Sequence, residues 1–177
     1  MKRKILSAII VAGMATGTHT AFASDGTINF TGNITAQTCT IASSIGGKDF
    51  TVALPTVSAS TLAAAGQTAG DTAFTILLTN CTPDTGAVRT HFEAGATVNS
   101  NGRVTQQTGT ATQVDIQLLN GDGSVIKAGD PVATQNSKST NINAGSASLP
   151  YIARYFATGQ ATAGTVSTMV NYSIAYQ

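Results

Sequence analysis

The sequence predicts an exported, all-β protein built as an antiparallel sandwich. Three observations carry that prediction. Apolar residues alternate with polar ones at a period of two near both ends of the chain, glycine and proline turns break the middle into short extended runs, and no stretch has a convincing helical period.

The chain opens on Lys2, Arg3 and Lys4, followed by an apolar run over residues 5–15 and the small-residue site Ala21-Phe22-Ala23. That order describes a secretory signal peptide, residues 1–23, with cleavage expected after Ala23. A membrane anchor is the competing reading, and the apolar run falls well short of the ~20 residues that span a bilayer. The mature chain of about 154 residues is long enough for one domain with a core of its own.

Without the signal, six basic residues stand against eight acidic ones, and six minus eight leaves a net charge near −2. No basic patch appears, which argues against nucleic acid and anionic membranes as partners. Charged residues are 10% of the chain, against the ~25% usual in soluble domains. Threonine, alanine, serine, glycine and asparagine take their place. Such a surface suits a subunit packed against copies of itself, although a protease-resistant secreted monomer would look similar.

Residues 24–34 form the cleanest alternation. Gly26, Ile28, Phe30, Gly32 and Ile34 fall on even positions, and Thr27, Asn29, Thr31 and Asn33 fill the odd ones. One face of this strand is built for burial. The parity then changes, because Cys39 and Ile41 are odd, and an odd separation sends side chains to opposite faces. Either a bulge near Ala36 and Gln37 corrects the register, or the arm and the following strand serve different cores.

Cys39 and Cys81 are an even count in an exported chain, so one disulfide is expected, and no Cys-x-x-Cys spacing suggests redox or metal chemistry. Residues 49–54 predict a strand with Phe50, Val52 and Leu54 on one face, ended by Pro55. Residues 58–70 are low in complexity, with at most one helical turn around Leu62. A clear strand follows at 74–81 through Phe74, Ile76 and Leu78, with Leu77 as the exception. Pro83 and Gly86 mark a turn, residues 88–98 a weaker strand, and 99–102 a hairpin turn into Val104.

Val114, Ile116 and Leu118 alternate with Asp115 and Gln117, and Asn120-Gly-Asp-Gly123 supplies a tight connection to Val125 and Ile126. Turns at 128–131 and 143–145 precede a strongly β stretch at 149–156, in which Tyr151 and Tyr155 face one way and Ile152 and Phe156 the other. After a loop at 159–164, the chain closes on a second long alternation: Val166, Val170, Tyr172, Ile174 and Tyr176 on even positions, broken only by Met169.

Enzyme chemistry finds no footing, and no cofactor or small-molecule substrate is expected. His91 is the single histidine of the mature chain, and no Gly-x-Ser-x-Gly elbow surrounds a serine. Asp122 and Asp130 lie in turns without the ligand spacing of a calcium loop, and Gly121 and Gly123 precede a strand, unlike a phosphate cradle.

Four segments together resemble the type 1 fimbrial subunits, or pilins, assembled by the chaperone-usher route of Gram-negative bacteria. They are the arm Gly-Thr-Ile-Asn-Phe-Thr-Gly-Asn-Ile leading to Cys39, the run Phe74-Thr-Ile-Leu-Leu-Thr-Asn-Cys81, Tyr151-Ile-Ala-Arg-Tyr-Phe-Ala-Thr-Gly159, and the ending Tyr172-Ser-Ile-Ala-Tyr-Gln177. The family's penultimate tyrosine and its glycine fourteenth from the end match Tyr176 and Gly164.

The resemblance implies an incomplete immunoglobulin-like sandwich, residues 35–177, that lacks its last strand and leaves a groove beside the C-terminal strand. Residues 24–34 would be a donor-strand arm, with Gly26, Ile28, Phe30, Gly32 and Ile34 as donor residues. Gly164, Val166, Val170, Tyr172, Ile174 and Tyr176 would border the acceptor groove and meet the chaperone.

Implied partners are a periplasmic pilus chaperone, an outer-membrane usher and neighbouring pilins in a homopolymer; the implied location is a fimbrium on the cell surface. A shaft subunit is expected over a minor adaptor. A two-domain adhesin is disfavoured by length and a chain terminator by the usable arm. A non-polymerising secreted sandwich that binds carbohydrate is the alternative from another class.

Overall fold

A computed structural model describes residues 27–32, 34 and 36–177. The expected signal peptide, together with Gly26, Asn33 and Thr35, lies outside the described residues. Contacts divide the chain into Met1–Asn33 and Ile34–Gln177. Of the first unit, residues 27–32 are irregular and exposed.

Among its described residues the second unit contains eight strands: β1 (Thr38–Ser43), β2 (Thr68–Thr82), β3 (Gly86–Phe92), β4 (Val104–Thr105), β5 (Val114–Asn120), β6 (Thr140–Ile142), β7 (Ala147–Ala157) and β8 (Tyr172–Tyr176). All pairs are antiparallel. They form a five-stranded sheet ordered β1-β2-β7-β5-β4 and a three-stranded sheet ordered β6-β3-β8. Val88, Phe92 and Ile142 of the smaller sheet share one core with Ile76, Leu78, Leu118, Leu149 and Tyr151 of the larger. This is the expected sandwich.

The alternations place side chains as period two requires. Phe74, Ile76 and Leu78 are buried, while Thr75 and Leu77 are half-buried on the other face of β2. Pairing with β7 carries β2 back to Thr68, well before the run readable from the sequence. β3 starts at Gly86 and stops at Phe92, so the weaker strand expected over 88–98 is cut short. Gln135, fully buried, ends it by accepting from the Phe92 amide and donating to the Phe92 carbonyl, at 2.9 and 2.7 Å. That side chain satisfies both backbone groups of Phe92 on that side, as a strand would.

Cys39 and Cys81 form the expected disulfide between β1 and β2. Beside it the ladder slips: Thr38 pairs with Thr82 but Thr40 with Thr79, so Cys39 alone faces Asn80 and Cys81. The extra residue is on β2, where Asn80 takes φ 51°, and not near Ala36 and Gln37. It therefore leaves the parity of the arm uncorrected.

β5 is buried on both faces. Asp115 is covered by Arg103, whose Nε donates to the carboxylate at 2.9 Å and whose guanidinium lies 4.1 Å from the centre of the Phe156 ring. Gln117 is held by Arg154, which donates from Nε and Nη2 to Oε1 at 2.9 and 2.8 Å. The hairpin turn at 99–102 and the glycine turn at 120–123 form as expected. Val125 contributes only an isolated bridge to Leu119.

One predicted strand does not form a strand, and a second forms one only over Tyr172–Tyr176. Residues 49–54 have the expected inward Phe50, Val52 and Leu54, half-buried against the core, but no backbone hydrogen bond joins residues 49–57 to another described residue. The C-terminal alternation pairs with β3 only from Tyr172 onward, because β3 ends at Phe92. Both segments lack a neighbour on the same side of the molecule.

Candidate acceptor cleft

Between these two segments lies a cleft of about 630 Å³. Phe50, Val52 and Leu54 form one wall and Thr168, Met169, Val170, Asn171 and Tyr172 the other. The floor is core: Phe74 and Ile76 of β2, Phe92 of β3, Val104 of β4, Ile116 and Leu118 of β5, and Ala153 of β7. Every floor side chain is apolar, contributed by strands of both sheets. A complete sandwich would cover such a surface with a further strand.

The aromatic residues run in a chain from wall to floor. Phe50 lies 6.2 Å from Tyr172 and 5.9 Å from Phe74, and Tyr151 touches Phe74 at 5.6 Å and Phe92 edge-on at 5.2 Å. The Tyr172 hydroxyl donates to the Lys48 carbonyl at 2.6 Å, joining the two walls. Burial, and next to it the Asp49 carboxylate, push the Tyr172 phenol above its ordinary pKa.

The backbone of the C-terminal wall presents an ordered edge. Glu93 N donates to Asn171 O and Gln177 N to Ala87 O, both at 2.8 Å, so odd-numbered residues of β8 point their amides and carbonyls at β3. Even-numbered Tyr172, Ile174 and Tyr176 therefore point theirs to the opposite edge, which has no ladder partner among the described residues because β8 ends its sheet. The phase continues upstream. Thr165 O and Ser167 O accept from the 105–112 loop, which leaves Val166, Thr168 and Val170 aimed at the open side. Residues 166–176 thus present one backbone edge with a constant phase, of which Tyr172–Tyr176 is strand.

Of the residues predicted to border a groove, Val170 and Tyr172 line the cleft. Val166, Ile174 and Tyr176 are half-buried against the same core beyond its lining. Gly164 packs on the 110–111 backbone, where a Cβ would come within 2.6 Å of Thr110 Oγ1. Of the predicted donor residues, Ile28, Phe30 and Ile34 are 79%, 89% and 100% exposed, and nothing lies within 4 Å of a Cβ built on Gly32. Phe50, Val52 and Leu54 were legible as a strand face but not as a wall, since alternation does not say whether a partner strand exists.

Among the described residues, no group of three or more His, Cys, Asp or Glu side chains is placed to hold a metal. His91 Nε2 meets Asp130 O at 3.1 Å, a satisfied strand histidine. Asp122 accepts from the Ser124 hydroxyl and amide at 2.6 and 2.9 Å, and these bonds, with Lys138 adding less, hold its carboxyl down to about 2. It serves its turn.

Residues 54–177 match the family model described as type-1 fimbrial protein, A. The chain belongs to that family. It is 48% identical to the major fimbrial subunit SMF-1 of Stenotrophomonas maltophilia, over 88% of this chain and 95% of that one. It is also 43% identical to the F17 fimbrial protein of Escherichia coli, over 99% of each.

Among solved structures, the P pilus rod subunit superposes with a TM-score of 0.60 at 22% identity, covering 78% of this chain and 99% of that one. A subunit from a chaperone-usher pilus rod superposes at 0.58 and 21% identity, covering 89% and 99%. These likenesses establish the fold. The chain is a fimbrial pilin with the fold of chaperone-usher pilins, and the relatives named here are structural fimbrial subunits.

Proposed function

We propose that this pilin polymerises by donor-strand exchange into a surface fibre that serves adhesion, and that it is the major shaft subunit. The observation that carries the reading is the apolar cleft bordered by a phase-constant backbone edge over residues 166–176 that has no partner strand among the described residues. The arm of a neighbouring copy supplies what the cleft lacks. Fully extended, residues 26–34 would span about 30 Å and an edge of eleven residues about 37 Å, at ~3.4 Å per residue.

The mode is strand addition, in which main-chain hydrogen bonds give affinity and alternate side chains find pockets. Ile28, Phe30 and Ile34, exposed in the free chain, would each gain about 2 kcal/mol on full burial, before ordering costs. Until it is filled, the cleft is an aggregation hazard. A periplasmic chaperone therefore lends a strand to it during export through a Gram-negative envelope, and the usher exchanges that strand for the next subunit's arm. The shaft role follows the name of the 48% identical relative. The 31% identical minor fimbrial subunit HifD of Haemophilus influenzae makes an adaptor the alternative.

The test removes residues 24–34. Purified fibres of the intact chain should run as a multimer ladder that survives mild detergent, and the truncated chain should remain an oxidised monomer held by the chaperone. A ladder that persists without the arm would rule out this mechanism.

A further inference from the structure

We propose that the 105–112 loop is the positioning element of the acceptor cleft, with Gly109 and Thr110 setting the lip that receives an incoming strand. The meaning of this role rests on the strand-addition reading above. β3 stops at Phe92, and its last bond to the C-terminal segment is Glu93 N to Asn171 O. Upstream of Asn171 the lip pairs with no strand among the described residues. An unsupported edge of this kind frays.

The loop supplies the missing support through a different set of groups. Gln107 N and Thr108 N donate to Ser167 O at 3.0 and 3.3 Å, and Ala111 N to Thr165 O at 3.0 Å. Thr165 N donates to Thr110 Oγ1 at 3.0 Å, Thr110 N to Thr165 Oγ1 at 3.3 Å, and the Thr168 hydroxyl to Thr105 O at 2.6 Å. Every backbone group of 165–168 used here belongs to an odd-numbered residue, as in the β3 ladder. The loop therefore continues the phase that β3 begins and keeps Val166, Thr168 and Val170 aimed at the open edge.

Contact this close needs bare backbone on both sides. A Cβ at Gly109 would run into Thr165 O and stand 2.9 Å from Val166 Cα, and one at Gly164 would run into Ala111 N. A side chain at Gly109 must push the lip away, starting at Val166. The β3–β8 ladder is anchored separately and would not move with it.

The test uses the full-length chain assembled by its own export route, reading the ratio of arm-dependent multimers to oxidised monomer, with amide exchange of the monomer alongside. Gly109→Ala should lower the ratio about tenfold, the equivalent of one or two lost hydrogen bonds, and raise exchange at Thr165, while Val88–Phe92 exchange stays as in the parent. Thr110→Val should lower the ratio in the same direction, and Thr110→Ser, which keeps the hydroxyl, should restore it. A merely stabilising loop would reduce monomer and multimer together and leave the ratio unchanged, and that result overturns the proposal. Should Gly109→Ala yield no oxidised monomer, the threonine pair decides: equal ratios for valine and serine overturn it. Loss of arm dependence in the parent chain would overturn strand addition itself, and this role with it.

Discussion

Replacing Phe30 by alanine separates the stability of one subunit from the stability of the joint between two. In the free chain Phe30 is 89% exposed, so truncating it removes almost no buried surface, and such changes stay within about 0.5 kcal/mol. In the fibre the same ring would enter a neighbour's cleft and leave water. Burying a phenylalanine is worth about 2–3 kcal/mol, equivalent to roughly 30- to 150-fold in an association constant.

The assay is paired: thermal unfolding of the chaperone-free monomer, and the denaturant concentration at which preformed multimers dissociate. Phe30→Ala should leave the monomer midpoint where it was and lower the multimer midpoint. Thr31→Ala, on the other face of the same alternation, should change neither. A fall in monomer stability with multimers unaffected would mean that Phe30 serves its own subunit, and would refute the reasoning.

Three further outcomes follow from the geometry. Replacing Cys39 and Cys81 by serine opens a loop spanning a sequence separation of 42, and should cost about 4 kcal/mol of monomer stability on the chain-entropy account, measured by denaturant unfolding. Tyr172→Phe removes the bond between the cleft walls and should cost about 1 kcal/mol. Because the folded phenol is raised, the parent's advantage over this variant should be full below the ordinary tyrosine value near 10 and decline as pH climbs through the raised one, as unfolding at stepped pH would show. Asp122, lowered from 3.8 to about 2, should hold the 120–124 turn above pH 3.8 and release it as pH falls through about 2. Proton-linked shifts of the Ser124 amide should report this and vanish in Asp122→Asn.

The strands were legible wherever a single face is buried, as in Phe74, Ile76 and Leu78, because period two then leaves an unambiguous trace. β5 shows the limit: Asp115 and Gln117 read as a solvent face, yet Arg103, just before β4, and Arg154 of β7 close over them. The cleft was legible only in part. Phe50, Val52 and Leu54 announce an inward face, but nothing in their spacing says that no strand lies beside them. The loop at 105–112 left no pattern at all, since threonine and glycine there act through hydroxyls and bare backbone on a segment some fifty-five residues away. The arm's change of parity before Cys39 was visible, and the bulge on β2 does not remove it.

The measurement that bears most directly on the central claim is residue-resolved amide exchange over 166–176 in monomer and fibre. Odd-numbered Ser173 and Ala175 pair with β3 and should be protected in both. Even-numbered Val166, Thr168, Val170, Tyr172, Ile174 and Tyr176 should exchange in the monomer and become protected only in the fibre. Equal exchange of the even-numbered amides in the two states would contradict strand addition at this edge.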